Sequence, residues 1–147
     1  MGYLESSLMD GEVISYKTKL SWIVILWPLL LTFIFLIAFA EEVPGMVILP
    51  GIWLVIAIIN YFKSEFGITN KRLVLKTGVI KRKSQEIQVN KIEGISVDQG
   101  IIGRLLGYGT VVATGTGGAI NRYPSVADPL TFRKRIQEQI SAVEARR

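Results

Sequence analysis

The side chains that most often carry catalysis or bind metals are scarce in this 147-residue chain, which has no histidine and no cysteine. This composition excludes disulfides, Cys/His metal sites and every mechanism with a histidine base or a cysteine nucleophile. Ser84 and Lys81 would lie on opposite faces of a regular strand, which argues against a Ser-Lys pair. Five carboxylates show neither paired nor metal-ligand spacing: Glu65, Glu86, Glu93, Asp98 and Asp128. We therefore expect no catalytic residues, no metal site and no cofactor.

The stretch 99–118, QGIIGRLLGYGTVVATGTGG, has seven glycines and looks like a phosphate-binding loop. A Walker-type loop needs Gly-Lys-Ser/Thr before a helix, and a dinucleotide fingerprint also opens a helix. Here the lysine is missing and a β-rich run, GTVVAT, follows, so the glycines predict a compact turn between two strands. The apolar residues of this turn either insert into a bilayer interface or plug the end of a barrel: Ile101, Ile102, Leu105 and Leu106.

Basic residues form the second group of candidates. Residues 63–147 carry fifteen Lys or Arg against seven Asp or Glu, in a chain whose net charge is +5. Near an anionic leaflet each such cation is worth about 1 kcal/mol, although basic residues along strands are also the usual solvated face of a sheet. The candidates for contact with lipid headgroups are Lys71, Arg72, Lys81, Arg82, Lys83 and Arg104. Clustered aromatic groups that could stack on bases are missing, so nucleic-acid binding is not expected.

Two long apolar runs precede the basic region. Residues 20–40 and 43–62 contain no charged side chain, and only Glu41 and Glu42 stand between them. A helix over the first run would be roughly 30 Å long, the thickness of a bilayer core. The mostly polar residues 1–19 argue against a cleaved signal peptide. We predict a transmembrane hairpin over residues 20–62, whose second span starts irregularly and becomes a clean helix near Gly51.

The charges that flank the hairpin predict its orientation. Lys17, Lys19 and Lys63 lie on one side, and the two glutamates of the short turn lie on the other. The positive-inside rule then places residues 1–19 and 63–147 in the cytoplasm and the turn outside.

Short runs rich in β-branched residues follow the hairpin, separated by glycine, asparagine and lysine pairs. Five or six strands can be recognised from Ser64 onward, and residues 11–19 could supply a further edge strand. Asp128 and Pro129 then predict a helix start, and an apolar stripe follows at Phe132, Ile136, Ile140 and Val143. We predict an antiparallel sheet, sandwich or partly open barrel capped by one C-terminal helix.

Three segments, ITNKRLVLKTGVIKR, NKIEGISVDQGIIGRLLGYGTVVATGTGG and DPLTFRKRI, resemble the bacterial pleckstrin-homology (PH) family. This is a membrane-anchored group, formerly described as a domain of unknown function, with a transmembrane hairpin before the domain. The resemblance covers residues 63–140 and implies a curved, barrel-like sheet of seven strands with a C-terminal helix.

The resemblance also implies a function. It indicates a non-catalytic interaction module in the bacterial inner membrane, which binds an unidentified membrane or cytoplasmic protein, assembles with itself, or both. The alternatives are a sensor of anionic lipids and an accessory subunit of a membrane transport or secretion complex.

Overall fold

The computed structural model describes residues 3–39, 41–77 and 83–146. The chain folds into two antiparallel sheets, one long pair of apolar helices and a C-terminal helix. The strands are β1 (Ile14–Lys19), β2 (Glu65–Thr69), β3 (Arg72–Thr77), β4 (Lys83–Gln88), β5 (Ile92–Asp98), β6 (Tyr108–Gly115) and β7 (Ile120–Ala127). The helices are α1 (Tyr3–Ser6), α2 (Ile23–Phe39), α3 (Ile48–Lys63), α4 (Ile101–Leu106) and α5 (Pro129–Glu144). A 3-10 turn, Pro44–Val47, leads directly into α3.

The first sheet has the order β1-β2-β3-β4 and the second the order β5-β6-β7. The seven described strands confirm the mainly β prediction, and residues 14–19 do supply the edge strand. β1 nevertheless corrects the expectation that the hairpin precedes the whole domain. β1 pairs antiparallel with β2, so the apolar helices lie between two neighbouring strands of one sheet.

Both sheets and α5 contribute to a single core. Alternation in β6 buries Val111 and Ala113, as period-two patterning requires. From α5, Phe132 packs its ring 6.3 Å from Tyr16 and 6.4 Å from Phe66. The predicted helix start is confirmed, because the Asp128 side chain accepts a hydrogen bond from the N–H of Thr131. The helix therefore closes the core that the two sheets leave open.

The two apolar helices differ from the prediction in their lengths. Among the described residues, one helical stretch, Pro44–Lys63, is long and apolar enough to cross a membrane. α2 is shorter, at 17 residues. The irregular start of the second run is confirmed by its 3-10 turn, but the α-helix begins at Ile48 rather than near Gly51. Pro50 is tolerated there because the first turn of a helix needs no backbone donor.

Candidate functional site

The strand register defines two ends of the domain. Lys19 pairs with Glu65, Glu65 with Lys76, and Thr77 with Lys83, where β1 leads toward α2 and β2 follows α3. We call this the hairpin end. The opposite, far end is where Ile14 pairs with Thr69 and where Arg72 pairs with Gln88. At about 3.3 Å per residue, the two ends of β1 are roughly 17 Å apart.

The apolar helices join the domain rigidly at the hairpin end. A single residue, Ser64, separates α3 from β2. Val24 and Tyr61, one from each helix, pack against the core of the domain. On the way to α2, Leu20 forms a β-bridge with Val126. The backbone of the two helices is thus held by the sheets without an intervening linker.

The stretch predicted to be a tight turn is instead the short helix α4. It connects the end of β5 to the start of β6, and the start of β6 pairs with the last residues of β7. The amide of Ser21, just before α2, donates a 2.7 Å hydrogen bond to the carbonyl of Ser125. Ser125 also lines a cleft with Ile101 and Ile102. α4 therefore lies at the hairpin end, close to the start of α2.

The apolar side chains of α4 point outward. Ile101 is 88% exposed, Ile102 63% and Leu105 85%, while Leu106 is half-buried. For the first three, the interpretation that they plug the barrel end is wrong, because their side chains are exposed and are not packed in the core. Arg104 is exposed on the same short helix.

Glycine and one glutamine hold α4 in place. The Gln99 side-chain amide donates hydrogen bonds of 3.0 Å to the carbonyls of both Gly103 and Tyr108. Gly103 is buried, and a Cβ atom there would lie 2.6 Å from the Tyr108 carbonyl oxygen. Gly107 ends the helix at a φ of 72°, which glycine adopts without strain. Gly103 thus serves close backbone approach, whereas Gly107 serves the left-handed end of the helix.

We expect Gly103→Ala to destabilise the protein by about 1–3 kcal/mol, because the new Cβ overlaps a backbone oxygen that cannot rotate away. The matched control is Gly100→Ala, where an added Cβ meets nothing within 4 Å. Both substitutions restrict the unfolded chain equally, and the higher helix propensity of Ala would by itself favour Gly103→Ala, so a lower midpoint for Gly103→Ala reports the overlap. The measurement is the thermal midpoint of the full chain in detergent, by circular dichroism. Equal midpoints for the two variants would refute the packing role.

An ion-pair network lies at the far end. The Arg72 guanidinium contacts Glu12 through Nε at 2.9 Å and also bridges to Glu86. The Glu12 side chain is completely buried and also accepts a 2.6 Å hydrogen bond from Thr69. Arg72 donates a further hydrogen bond to the carbonyl of Ser7. The network thereby ties the N-terminal segment to β2, β3 and β4.

The network changes the ionisation of both partners. Burial alone would raise the pKa of Glu12, but hydrogen bonds from Arg72, the Met9 amide and Thr69 outweigh it and lower the pKa to about 2. The hydrogen bond to Glu12 raises the pKa of Arg72. Both groups are therefore charged at neutral pH.

We expect acid to weaken the fold through Glu12. Its pKa is about 2 in the folded chain against 4.5 as the ordinary value, so its contribution is complete above pH 4.5 and is lost as the pH falls toward 2. The measurement is the unfolding midpoint of the full chain in detergent between pH 7 and pH 2. Glu12→Gln, which cannot titrate, should lose less stability over this window. If the unfolding midpoints of the unmodified chain and of Glu12→Gln fall in parallel with pH, Glu12 is not the group that weakens the fold in acid.

Comparison with known proteins identifies the domain. A family model described as "Bacterial PH domain" matches residues 15–140, which includes both apolar helices. The chain belongs to the bacterial PH domain family. No curated protein matches it. A crystal structure of a DUF1696 family protein with a pleckstrin-homology domain, from Shewanella loihica PV-4, aligns with 54% of this chain and 73% of its own. The identity is 20% and the TM-score 0.40.

The bacterial PH domain separates the predicted headgroup cations into two groups. Lys71 lies at the far end, where its Nζ donates a hydrogen bond to the Asp10 carbonyl. The prediction that Arg72 contacts a headgroup is wrong, because its buried guanidinium forms ion pairs with two carboxylates and cannot reach a headgroup. Arg104 lies at the hairpin end, as does the backbone of Lys83. Lys81 and Arg82 lie outside the described residues.

Sequence reasoning missed the N-terminal segment of this PH domain. Leu4 is buried on β2, where a Cβ on Gly67 would come within 2.6 Å of the Leu4 side chain. Glycine inside a strand signals the close approach of another group, so Gly67 was the available clue. The sequence around Glu12 contains no comparable clue, because its partner Arg72 is 60 residues away.

Proposed function

We propose that this bacterial PH domain is a non-catalytic interaction module anchored in the inner membrane by α2 and α3. The observation that carries the proposal is the outward-facing apolar surface of these helices, joined rigidly to one end of the domain. Only 6% of the residues in the apolar stretch of Pro44–Lys63 are buried. Large apolar side chains of both helices are exposed, among them Trp27, Phe33, Ile37 and Leu49. A contiguous surface of this kind needs lipid or protein to cover it.

The charges at the two ends of the hairpin support an orientation with both termini in the cytoplasm. Lys19 and Lys63 lie at the hairpin end of the domain, and Glu41 and Glu42 lie at the distant turn. The test is a pair of reporter fusions, one at residue 147 and one at the turn. A reporter at residue 147 that is active only outside the cytoplasm would overturn this topology.

A protein partner, which includes a second copy of this chain, is our leading candidate for what the domain binds. At one side of the domain, β1 is joined to β7 through the bridge between Leu20 and Val126. At the other side, β4 and β5 are the outer strands of their sheets. Outer strands present backbone groups to which another strand can add. Gln88 and Glu93 are exposed on these strands.

Photo-crosslinking in intact cells tests this proposal. A photoreactive residue in place of Gln88 or Glu93 should capture one stoichiometric protein, or the chain itself. The same group in place of Lys134, exposed on α5, is the control. Capture of lipid alone, or the same products from all three sites, would reject binding at the outer strands.

Contact with anionic lipid is the second candidate, supported by the cations at the hairpin end. Lys19, Lys63 and Arg104 are exposed there, whereas Lys71 lies at the far end. This division favours non-specific attraction to an anionic surface over a single headgroup pocket. Vesicle-bound full chain with Arg104→Glu should then show weaker contact between the domain and anionic lipid, while Lys71→Glu changes nothing. Equal effects of the two reversals would contradict it.

A further inference from the structure

We infer that α4 is a second membrane contact, which inserts Ile101, Ile102 and Leu105 into the lipid interface beside the hairpin. The inference rests on the proposed membrane anchoring and adds to it a fixed orientation of the domain. Three observations carry it: the exposure of α4, its place in the fold, and the rigidity of the joint.

The exposure of α4 is not explained by the fold itself. Ile101 and Leu105 are among the most exposed large apolar side chains in the described part of the chain, at 88% and 85%. The helix is nevertheless held firmly, because Gln99 and the close approach of Gly103 to Tyr108 fix its backbone. A fixed helix that presents apolar side chains is suited to binding an apolar surface.

The position of α4 in the fold indicates that the apolar surface it binds is lipid. Ser21 bonds to Ser125, and Ser125 lines the same cleft as Ile101 and Ile102, so the helix lies next to the residues from which α2 departs. If α2 enters the bilayer there, α4 lies at the depth of the headgroups. Trp22, half exposed at the start of α2, is of the type that anchors helices at this depth.

Charge around α4 agrees with an interfacial position. Arg104 is exposed within the apolar set, where its long stem can lie along lipid chains while the guanidinium reaches phosphate. Two acidic side chains flank the helix, Asp98 at the end of β5 and Asp128, whose amide donates a hydrogen bond to the Gly107 carbonyl, and both are also exposed. A mixed rim of this kind suits a headgroup layer better than the hydrocarbon core.

The rigid connection between the hairpin and the domain holds α4 at a fixed position relative to the bilayer. Val24 and Tyr61 tie both hairpin helices to the core, so the domain cannot swing freely on a linker. With the hairpin end held against the bilayer, the far end, with Glu12 and Arg72, points away from it. A partner from the cytoplasm would therefore approach from the far end or from the outer strands.

Depth measurements on the full chain in vesicles test the inference. The chain contains no cysteine, so single cysteines can carry an environment-sensitive NBD fluorophore. Leu105→Cys reports on α4, and Ile37→Cys, 70% exposed in α2, reports on the hairpin. Ile120→Cys is the matched control, because this exposed apolar residue lies at the other end of the second sheet. The vesicles contain phosphatidylcholine and phosphatidylglycerol, with nitroxide quenchers on the lipid headgroup or acyl chain.

The expected result is a blue shift at Leu105→Cys and loss of emission with shallow nitroxides, while Ile37→Cys responds to deep ones and Ile120→Cys to neither. If Ile37→Cys is quenched and Leu105→Cys behaves like Ile120→Cys, the α4 contact is refuted and the anchor stands. If Ile37→Cys is not quenched, the anchoring itself fails. A blue shift at Leu105→Cys without quenching, dependent on the protein-to-lipid ratio, would also refute lipid contact and assign α4 to an interface between copies.

Discussion

Replacing residues 22–63 with a short Gly/Ser linker is expected to turn the protein into a soluble, folded domain. Lys19 and Glu65 are paired across β1 and β2, so Ser21 and Ser64 must lie close together. A linker of about six residues spans roughly 20 Å, which is enough to join them. The deletion removes the large exposed apolar surface of α2 and α3 and keeps Leu20, whose backbone bridges β7.

The linker variant should elute as a discrete species without detergent and melt cooperatively by circular dichroism. Circular dichroism is the suitable probe because Trp22, Trp27 and Trp53 are all lost with the deleted segment. Some stability is also lost, because Val24 and Tyr61 pack against the core of the domain, and burial of one large apolar side chain is worth about 1.5–3 kcal/mol.

The control is the fragment 64–146, which has every strand except β1. We expect this fragment not to fold cooperatively, because the edge of β2 is unpaired and Arg72 has lost Glu12. If the fragment is as stable as the linker variant, β1 contributes little and the domain does begin after the hairpin. If the linker variant is aggregated, α2 and α3 are needed for folding itself.

The parts of the fold that the sequence predicts are those encoded by neighbouring residues. The helix α5 follows from Asp128, Pro129 and the spacing of Phe132 and Ile136, which are all local signals. Strands from β2 to β7 follow from short alternating runs between turn residues. Here propensity, capping and burial agree, so the prediction needs no knowledge of distant partners.

The parts that the sequence does not predict depend on distant partners. β1 pairs with β2 across the whole hairpin, and its alternation alone was loose. The glycines of the stretch 99–118 predict a compact turn, but α4 forms there, and Gly103 is needed because the Tyr108 carbonyl leaves no room for a Cβ atom. Similarly, adjacent Lys71 and Arg72 looked alike as cations, and only Glu12 separates their roles.

Removal of Arg72 is the point substitution expected to cost most. Arg72→Met leaves the completely buried Glu12 carboxylate without a cation, and breaking one side of a buried pair costs about 3–5 kcal/mol. In a small domain this lowers the thermal midpoint by roughly 12 °C or more. The measurement is thermal unfolding of the full chain in detergent at pH 7. The control is Lys17→Met, which removes an ion pair to Glu5 at the surface and should cost about 0–1 kcal/mol.

The double variant Glu12→Gln/Arg72→Met separates lost charge pairing from lost packing. Gln at position 12 needs no cation, and its single amide oxygen still accepts from either Thr69 or the Met9 amide, so the double variant should be more stable than Arg72→Met alone. If both have the same midpoint, the loss comes from packing of the Arg72 side chain and not from an unpaired carboxylate. If Arg72→Met costs no more than Lys17→Met, the N-terminal segment is held mainly by Leu4 over Gly67, and the ion pairs of Arg72 contribute little to stability.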